Sequence, residues 1–454
     1  MRIDRIRISN FKKFEEKELD LNPRFTLLVG DNGAGKTTLL DALAVAAGIW
    51  LVKPPDSTLV GSGRNILKSE IRLKSSEEGD RTQLVECKPV SVRAEGEILG
   101  EQLSWLREIR ATGVRTSNAG AKAALNTISR HFSMVDEGHK IVSPIVAYYG
   151  AGRAWLPSRR RRPSNRASRG PARRWEAFYD CFEERIRLGD IQRWFRRETI
   201  AYANRRIWRP GFNTVKHAIK QCVPGADDLW YDGDRGEIVM SIDGHANALA
   251  NLSAGQRMMV ALIADIAIKV VTQNAHLLVQ DRVIGSDDEE PEVLNKTPGL
   301  VLLDEIDAHL HPKWQRRVVD DLKRMFPLIQ FVCTSHSPFI IQSLEHDELR
   351  TLDETGPPLV EYSNRSIEDI AEDIQQVKSP QQSEKAKKLN DATERYFYLL
   401  KGKGTDVKQG ELERAEKEYR EASERYGGSP GLDAILKLEA MVQEERVQKK
   451  GSSR

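Results

Sequence analysis

The chain has 454 residues, 39% apolar and 30% charged. That is too long for one ordinary core, so two or more packed units are expected, with a highly charged globular surface. A formal net charge of +3 excludes a polycation that wraps nucleic acid along its whole length; such contact would need a local patch.

Cys87, Cys181, Cys222 and Cys333 form no CxxC pair, which argues against zinc and dithiol chemistry and for scattered thiols in a reducing compartment. Met1 to Ile6 alternates polar and apolar residues, as a first strand does and a signal peptide does not. No apolar run reaches the ~18 residues that span a bilayer, so a cytoplasmic protein without membrane contact is expected. The apolar run 24–30 ends on Gly30, and a Leu- and Ala-rich helical pattern follows from Lys36 to Trp50. Residues 55–100 read as short strands and loops, and 100–135 as helical. A strand is expected from Ile141 to Tyr149. Eight arginines then fall between Arg159 and Arg174. Residues 175–222 read as aromatic- and arginine-rich helices, Leu229 to Asp243 as two strands, and a helix starts near Ser253. The acidic run Asp287–Glu290 reads as an exposed loop, followed by strands Gly299–Leu303 and Ile329–Thr334. This alternation implies a mostly parallel sheet. In the polar tail, Leu412, Ala415, Tyr419, Ala422 and Tyr426 recur at heptad spacing, and Ser429-Pro430 reads as the start of a last helix, giving a helical hairpin.

Four motifs carry chemistry. Gly30-Asp31-Asn32-Gly33-Ala34-Gly35-Lys36-Thr37 has the glycines, lysine and threonine of a phosphate loop between a strand and a helix. Backbone N–H groups around Asn32, Gly33 and Gly35 would close on phosphate oxygens, helped by the helix end carrying Thr37 and Thr38. Lys36 would hold the β- and γ-phosphates of ATP, and Thr37 would ligate Mg2+. Leu300–Leu303 is an apolar strand ending on Asp304-Glu305, where Asp304 suits magnesium and Glu305 suits water activation. Leu252-Ser253-Ala254-Gly255-Gln256 opens a helix whose N–H groups face outward for an anion. Phe331–Pro338 is a strand that ends at His336.

Residues 252–256 resemble the LSGGQ signature of ATP-binding-cassette proteins, with Ala254 in place of a glycine. The resemblance implies that Ser253, Gly255 and Gln256 contact the γ-phosphate held by another subunit, and that His336 is the switch histidine. Ile8–Phe14 and Asp304-Glu305-Ile306-Asp307-Ala308-His309-Leu310-His311-Pro312 narrow the likeness to the SMC, RecF and OLD group. The implied fold is α/β: an ABC-type P-loop ATPase head with an inserted helical region and a C-terminal helical hairpin. Its expected layout is an ATPase lobe over 1–154, a basic helical insertion over 155–250 and a second lobe over 251–352. A linker over 353–378 and a helical tail over 379–454 follow. Within the group, Ala147–Trp155, His311–Gln315 and a tail without a catalytic domain resemble the PtuA-like ATPases of Septu and retron antiphage systems. That likeness implies a homodimer or higher even oligomer, and an HNH nuclease as partner. No glutamine stands at the group's usual Q-loop place after Tyr149, and Asp307 replaces the glutamate usual in OLD proteins. The chain carries neither a Toprim pattern nor an HNH arrangement, so no nuclease chemistry is expected in it. An alternative is a RecF- or SMC-like DNA repair ATPase without a nuclease partner; a non-hydrolysing ATP sensor is another.

Arg159, Arg160, Arg161 and Arg162, with Arg166, Arg169, Arg173 and Arg174, suit the phosphates of DNA or RNA, or a solvated loop. Trp155 and Trp175 suit stacking on bases, or a core.

Overall fold

A polar–apolar alternation opens the chain in the computed structural model, which describes all residues except 61–62, 79–80, 154–172, 279–290, 346, 353–363, 376, 378–379, 382, 401–408, 427–434, 437 and 439–454. Strand β1 (Arg2–Phe11) buries Ile3, Ile6, Ile8 and Phe11. A register shift between Ile3 and Arg5 lets Ile3 and Ile6, three apart, face the same core. Strand β2 (Phe14–Asp20) returns antiparallel to β1. Strand β3 (Phe25–Val29) is buried throughout and leads through the glycine loop into α1 (Lys36–Ala47). Every residue of α1 from Leu39 to Ala47 is buried, as a helix apolar on all sides requires. Its one buried carboxylate, Asp41, is paired with Lys12 and Arg64.

The hairpin β4 (Leu73–Glu78) and β5 (Arg81–Glu86) precedes β6 (Val90–Ile98) and β7 (Glu101–Ile109). Helix α2 covers only Lys122–Asp136, so the helical expectation for 100–135 fails in its first part. Glu, Gln, Leu and Arg favour a helix, yet pairing with β6 buries Trp105 and Ile109, and the Trp105 indole donates to the Ala46 carbonyl at 3.1 Å. Tertiary burial outweighs local preference there. Strand β8 (Ile145–Tyr149) is followed by α3 (Leu188–Arg205), α4 (Pro210–Cys222), β9 (Ala226–Asp232), β10 (Glu237–Ile242) and β11 (His245–Ala248). Next come α5 (Ala254–Gln273), α6 (Glu292–Lys296), β12 (Gly299–Leu303), α7 (Pro312–Gln315) and α8 (Val318–Met325). Strand β13 (Ile329–Thr334), α9 (Pro338–Gln342), β14 (Leu349–Thr351) and α10 (Ile367–Asp373) complete a first compact unit, Met1–Gln375.

The central sheet of that unit is parallel, in the order β14-β3-β13-β12-β8. One core cluster joins one face of it to α4, α5 and α8; the other joins the opposite face to α1 and to the antiparallel sheet β2-β1-β6-β7. Helix α1 is therefore sandwiched between two sheets. Helices α3 and α4 and strands β9 and β10 also pack into the first cluster, and β11 pairs with β10. Trp175 is 1% exposed, with its ring 5.1 Å from Phe132, so the base-stacking alternative for it is overturned by its burial in the second cluster. No helix among the described residues is long and apolar enough to cross a membrane.

The second unit, Gln376–Arg454, contains α11 (Glu384–Leu400) and α12 (Gln409–Tyr426). Among the described residues the heptad seam packs on the preceding helix and on Leu436. Ala415 and Tyr419 are buried with Tyr396 and Leu400, and the Tyr396 and Tyr419 rings stack at 5.8 Å. Ser429-Pro430 lies outside the described residues.

Within the first unit, His131 lies beneath Trp50 and Phe132, with Nε2 2.9 Å from the Ser143 hydroxyl. Burial, reinforced by the nearby amino terminus, lowers its pKa from 6.5 to about 4. The unfolded chain takes up this proton first, so the His131 contribution is complete above about pH 6.5 and is lost as pH falls towards 4. The melting temperature is expected to drop with pH across that window, and His131→Gln to flatten the slope. Parallel profiles of the two proteins would contradict the assignment.

Candidate functional site

Parallel strands deliver their carboxyl ends to one edge of a sheet, and ligands bind there. The strand order sets β13 between β3 and β12, so the phosphate loop, the Asp304-Glu305 turn and the His336 segment meet at that edge.

The phosphate loop is built by backbone geometry. Gly33 and Gly35 hold φ values of 86° and 105°, the left-handed region that favours glycine. A Cβ on Gly35 would lie 2.4 Å from Phe14 Cζ, so the β1–β2 turn presses directly on the loop. Lys13 Nζ also donates to the Gly33 carbonyl. Lys36 is buried at the start of α1, and its ammonium donates to the carbonyls of Gly30 at 2.7 Å and Asp31 at 3.0 Å. Asn32 and Thr37 are exposed, and Thr38 is half-buried.

Across the edge, Thr37 Oγ1 donates to Asp304 Oδ2 at 2.9 Å. The other carboxylate oxygen, Oδ1, accepts from Thr334 Oγ1 at 2.6 Å. Thr334 Oγ1 in turn accepts the Glu305 backbone N–H at 2.7 Å. Glu305 has φ 49° and an exposed side chain, held against a buried Asp304. Thr37 and Asp304 thus offer two adjacent oxygen ligands. No cluster of three or more His, Cys, Asp or Glu side chains suited to a metal exists among the described residues. This donor set fits Mg2+ held largely by nucleotide phosphates and water rather than by an all-protein cage.

His336 is exposed beside the phosphate loop, in a cavity of about 240 Å3 lined by Gly30, Asp31, Asn32 and Ser335. Its carbonyl accepts from Gln375 Nε2 at 2.5 Å.

Ser253 caps α5: its hydroxyl accepts the Gln256 N–H at 3.3 Å, and Gln256 Oε1 accepts the Ser253 N–H at 3.0 Å. Gly255 is buried, and a Cβ there would lie 2.5 Å from the His309 carbonyl oxygen. The signature therefore rests on the His309–Leu310 turn. The Leu310 carbonyl accepts from Gln315 Nε2 at 2.9 Å, and Gln315 Oε1 accepts from Ser337 Oγ at 2.6 Å. A continuous polar and packing path thus runs from the signature to the residue after His336. Arg159, Arg160, Arg161 and Arg162, with Arg166 and Arg169, lie outside the described residues.

Two residues carry the site without having been assigned roles from sequence. Thr334 is one. A polar end to an otherwise apolar strand, Ile329–Thr334, was its signal. Arg153 is the other. It is 1% exposed, and donates to the carbonyls of Asp304, Glu305 at 3.0 Å and Gly150 at 3.3 Å. Burial lowers its pKa, while Cys333, Asp304, Asp307 and Glu305 oppose that shift. It occupies the segment after β8 where the sequence lacks a Q-loop glutamine.

A family described as "AAA domain" matches residues 5–200, and one described as "AAA domain, putative AbiEii toxin, Type IV TA system" matches residues 251–342. The chain is similar to "Septu protein PtuA" of Bacillus mycoides (strain KBAB4), 25% identical over 77% of this chain and 40% of that protein. It therefore spans less than half the length of that relative. It is also similar to "Retron Ec83 probable ATPase" of Escherichia coli, 22% identical over 77% of this chain and 71% of that protein. Among solved structures, the "SMC head domain from Thermotoga maritima" aligns with 77% of this chain and 94% of that one, at 17% identity and a TM-score of 0.42.

Removing the bridging hydroxyl by Thr334→Val leaves a buried Asp304 oxygen and the Glu305 N–H unpaired. Each unmade bond costs about 1–3 kcal/mol, so urea unfolding is expected to shift to lower denaturant by that order. Thr334→Ser should stay close to wild type. An unchanged midpoint for the valine variant would contradict the bridge.

Proposed function

We propose, for a chain that is an SMC/RecF-like ABC-type ATPase related to PtuA, that it binds ATP and Mg2+ at the phosphate-loop edge and hydrolyses ATP as a dimeric switch. The observation that carries this reading is the bonded series Thr37–Asp304–Thr334–Glu305, which sets an exposed carboxylate beside the phosphate loop.

In this reading the loop N–H groups and the amino end of α1 receive the phosphates, and Lys36 leaves its carbonyl partners for the β- and γ-oxygens. Thr37 and Asp304 would hold Mg2+, which would supply charge neutralisation on the β- and γ-phosphates. Glu305 accepts a proton from water as that water attacks the γ-phosphorus. The bond to the β–γ bridging oxygen breaks, leaving ADP and inorganic phosphate. His336 donates to a γ-phosphate oxygen. Ser253, Gly255 and Gln256 of a second copy close over the same γ-phosphate, as the likeness of residues 252–256 to the LSGGQ signature implies. ATP binding then closes the dimer, and hydrolysis opens it.

The proposed output is control of an HNH nuclease, supported by the likeness to PtuA. The arginine run Arg159–Arg162 is the candidate contact to DNA or RNA, supported by its charge alone.

Glu305→Gln is expected to lower turnover by about 10²-fold or more while keeping ATP affinity, and to accumulate an ATP-bound dimer by native mass spectrometry. Turnover at the wild-type rate would remove Glu305 from its role. Co-expression with neighbouring genes tests the partner. A stable complex with an HNH protein supports the antiphage reading, whereas an ATP-dependent homodimer alone favours a repair-type ATPase.

A further inference from the structure

We infer that Arg153 is a positioning residue for ATP hydrolysis, the group that fixes the Glu305 backbone and so aims its carboxylate at the attacking water. The inference rests on the proposed role of Glu305.

The Glu305 backbone is held on both sides of its Cα. Its N–H is bound to Thr334 Oγ1 at 2.7 Å, and its carbonyl is bound to Arg153 Nη2 at 3.0 Å. Arg153 Nη1 takes the preceding carbonyl, that of Asp304. One planar guanidinium therefore spans two successive carbonyls of the acid pair, a geometry that a lysine ammonium cannot reproduce. The constraint has something to hold in place. Glu305 sits at φ 49°, a conformation that non-glycine residues adopt at a cost and keep only where their surroundings impose it. Released from it, the side chain would swing relative to Asp304 and the phosphate loop.

The guanidinium is itself preorganised. The Arg153 N–H donates to the Gly150 carbonyl at 3.1 Å, and its carbonyl accepts the Ile186 N–H at 3.1 Å. The Gly150 N–H donates to the Glu184 carbonyl at 2.9 Å, and a Cβ on Gly150 would lie 2.8 Å from Glu184 Cβ. Residues 184–186 thus clamp 150–153 under the catalytic turn. With its side chain 1% exposed, Arg153 touches neither solvent nor the phosphate-loop cavity, so it acts through Glu305 and not on ATP directly. Losing it should slow the chemical step and spare nucleotide capture by Lys36 and the loop.

The test uses the full chain. Steady-state kcat and KM are measured for wild type, Arg153→Met, Arg153→Lys and Glu305→Gln, with fluorescent ATP-analogue titration for affinity and thermal melting for the fold. Arg153→Met is expected to lose about 10²-fold in kcat, the scale of an ångström-sized misplacement, with nucleotide affinity within about threefold of wild type. Arg153→Lys, which keeps the charge but not the fork, should fall between the two. Wild-type kcat in Arg153→Met, or a parallel loss of kcat and nucleotide affinity, would overturn the inference. If the methionine variant does not fold, the lysine variant decides by the same split: lowered kcat with retained affinity supports the inference, and wild-type kcat overturns it. Glu305→Gln separates the two claims. If that variant turns over normally, the hydrolytic role itself fails; if it is inactive while Arg153→Met is normal, only the positioning role fails.

Discussion

The hydroxyl of Thr334 accepts from the Glu305 backbone and donates to Asp304, whose other oxygen is bound by Thr37 of the phosphate loop. Three segments far apart in sequence are joined through that one oxygen. The joint exists because β13 lies between β3 and β12, with every strand parallel, so that all three segments end at the same edge. Residues at the ends of buried parallel strands have little freedom to drift. Asp304 is 6% exposed and Thr334 is fully buried, so the bond between them forms in a dry setting, where an unmet partner is costly. The sheet thereby converts ordinary apolar packing into a fixed spacing between a phosphate cradle and a carboxylate.

The signature helix is tied to the same edge by packing and hydrogen bonds. Gly255 is fastened to the His309 turn by a backbone approach that leaves no room for a side chain. The Gln315 amide carries the link from Leu310 to Ser337, beside His336. The signature helix is thereby connected through bonded neighbours to the residue beside His336. In the proposed dimer, a γ-phosphate that touches Ser253 of one copy and His336 of the other would couple the two copies through this path.

Much of the edge was legible in the sequence because its chemistry is local. The glycine spacing around Lys36, the apolar strand before Asp304 and the Ser253-to-Gln256 cap each state their geometry within a few residues. What escaped depends on contacts across the fold. Arg153 acquires its role from carbonyls some 150 positions away, as its bonded pairs are separated by 151 and 152 residues. Thr334 is one threonine until β12 is laid beside it. Glu101–Ile109 carries helix-forming residues and becomes a strand because β6 and the Ala46 carbonyl hold Trp105. The tail seam pairs with the helix before it through Tyr396 and Tyr419, a choice that spacing alone does not fix.

The composite site is the central claim, and mixing two defective chains tests it most directly. Lys36→Ala disables the phosphate loop, and Ser253→Arg disables the signature. Each variant alone is expected to be inactive in ATP hydrolysis. A dimer formed from one of each contains one site in which both elements are wild type, so the mixture is expected to regain activity. No recovery on mixing, with dimer exchange verified by native mass spectrometry, or full activity of the Ser253→Arg chain by itself, would contradict a site built from two copies.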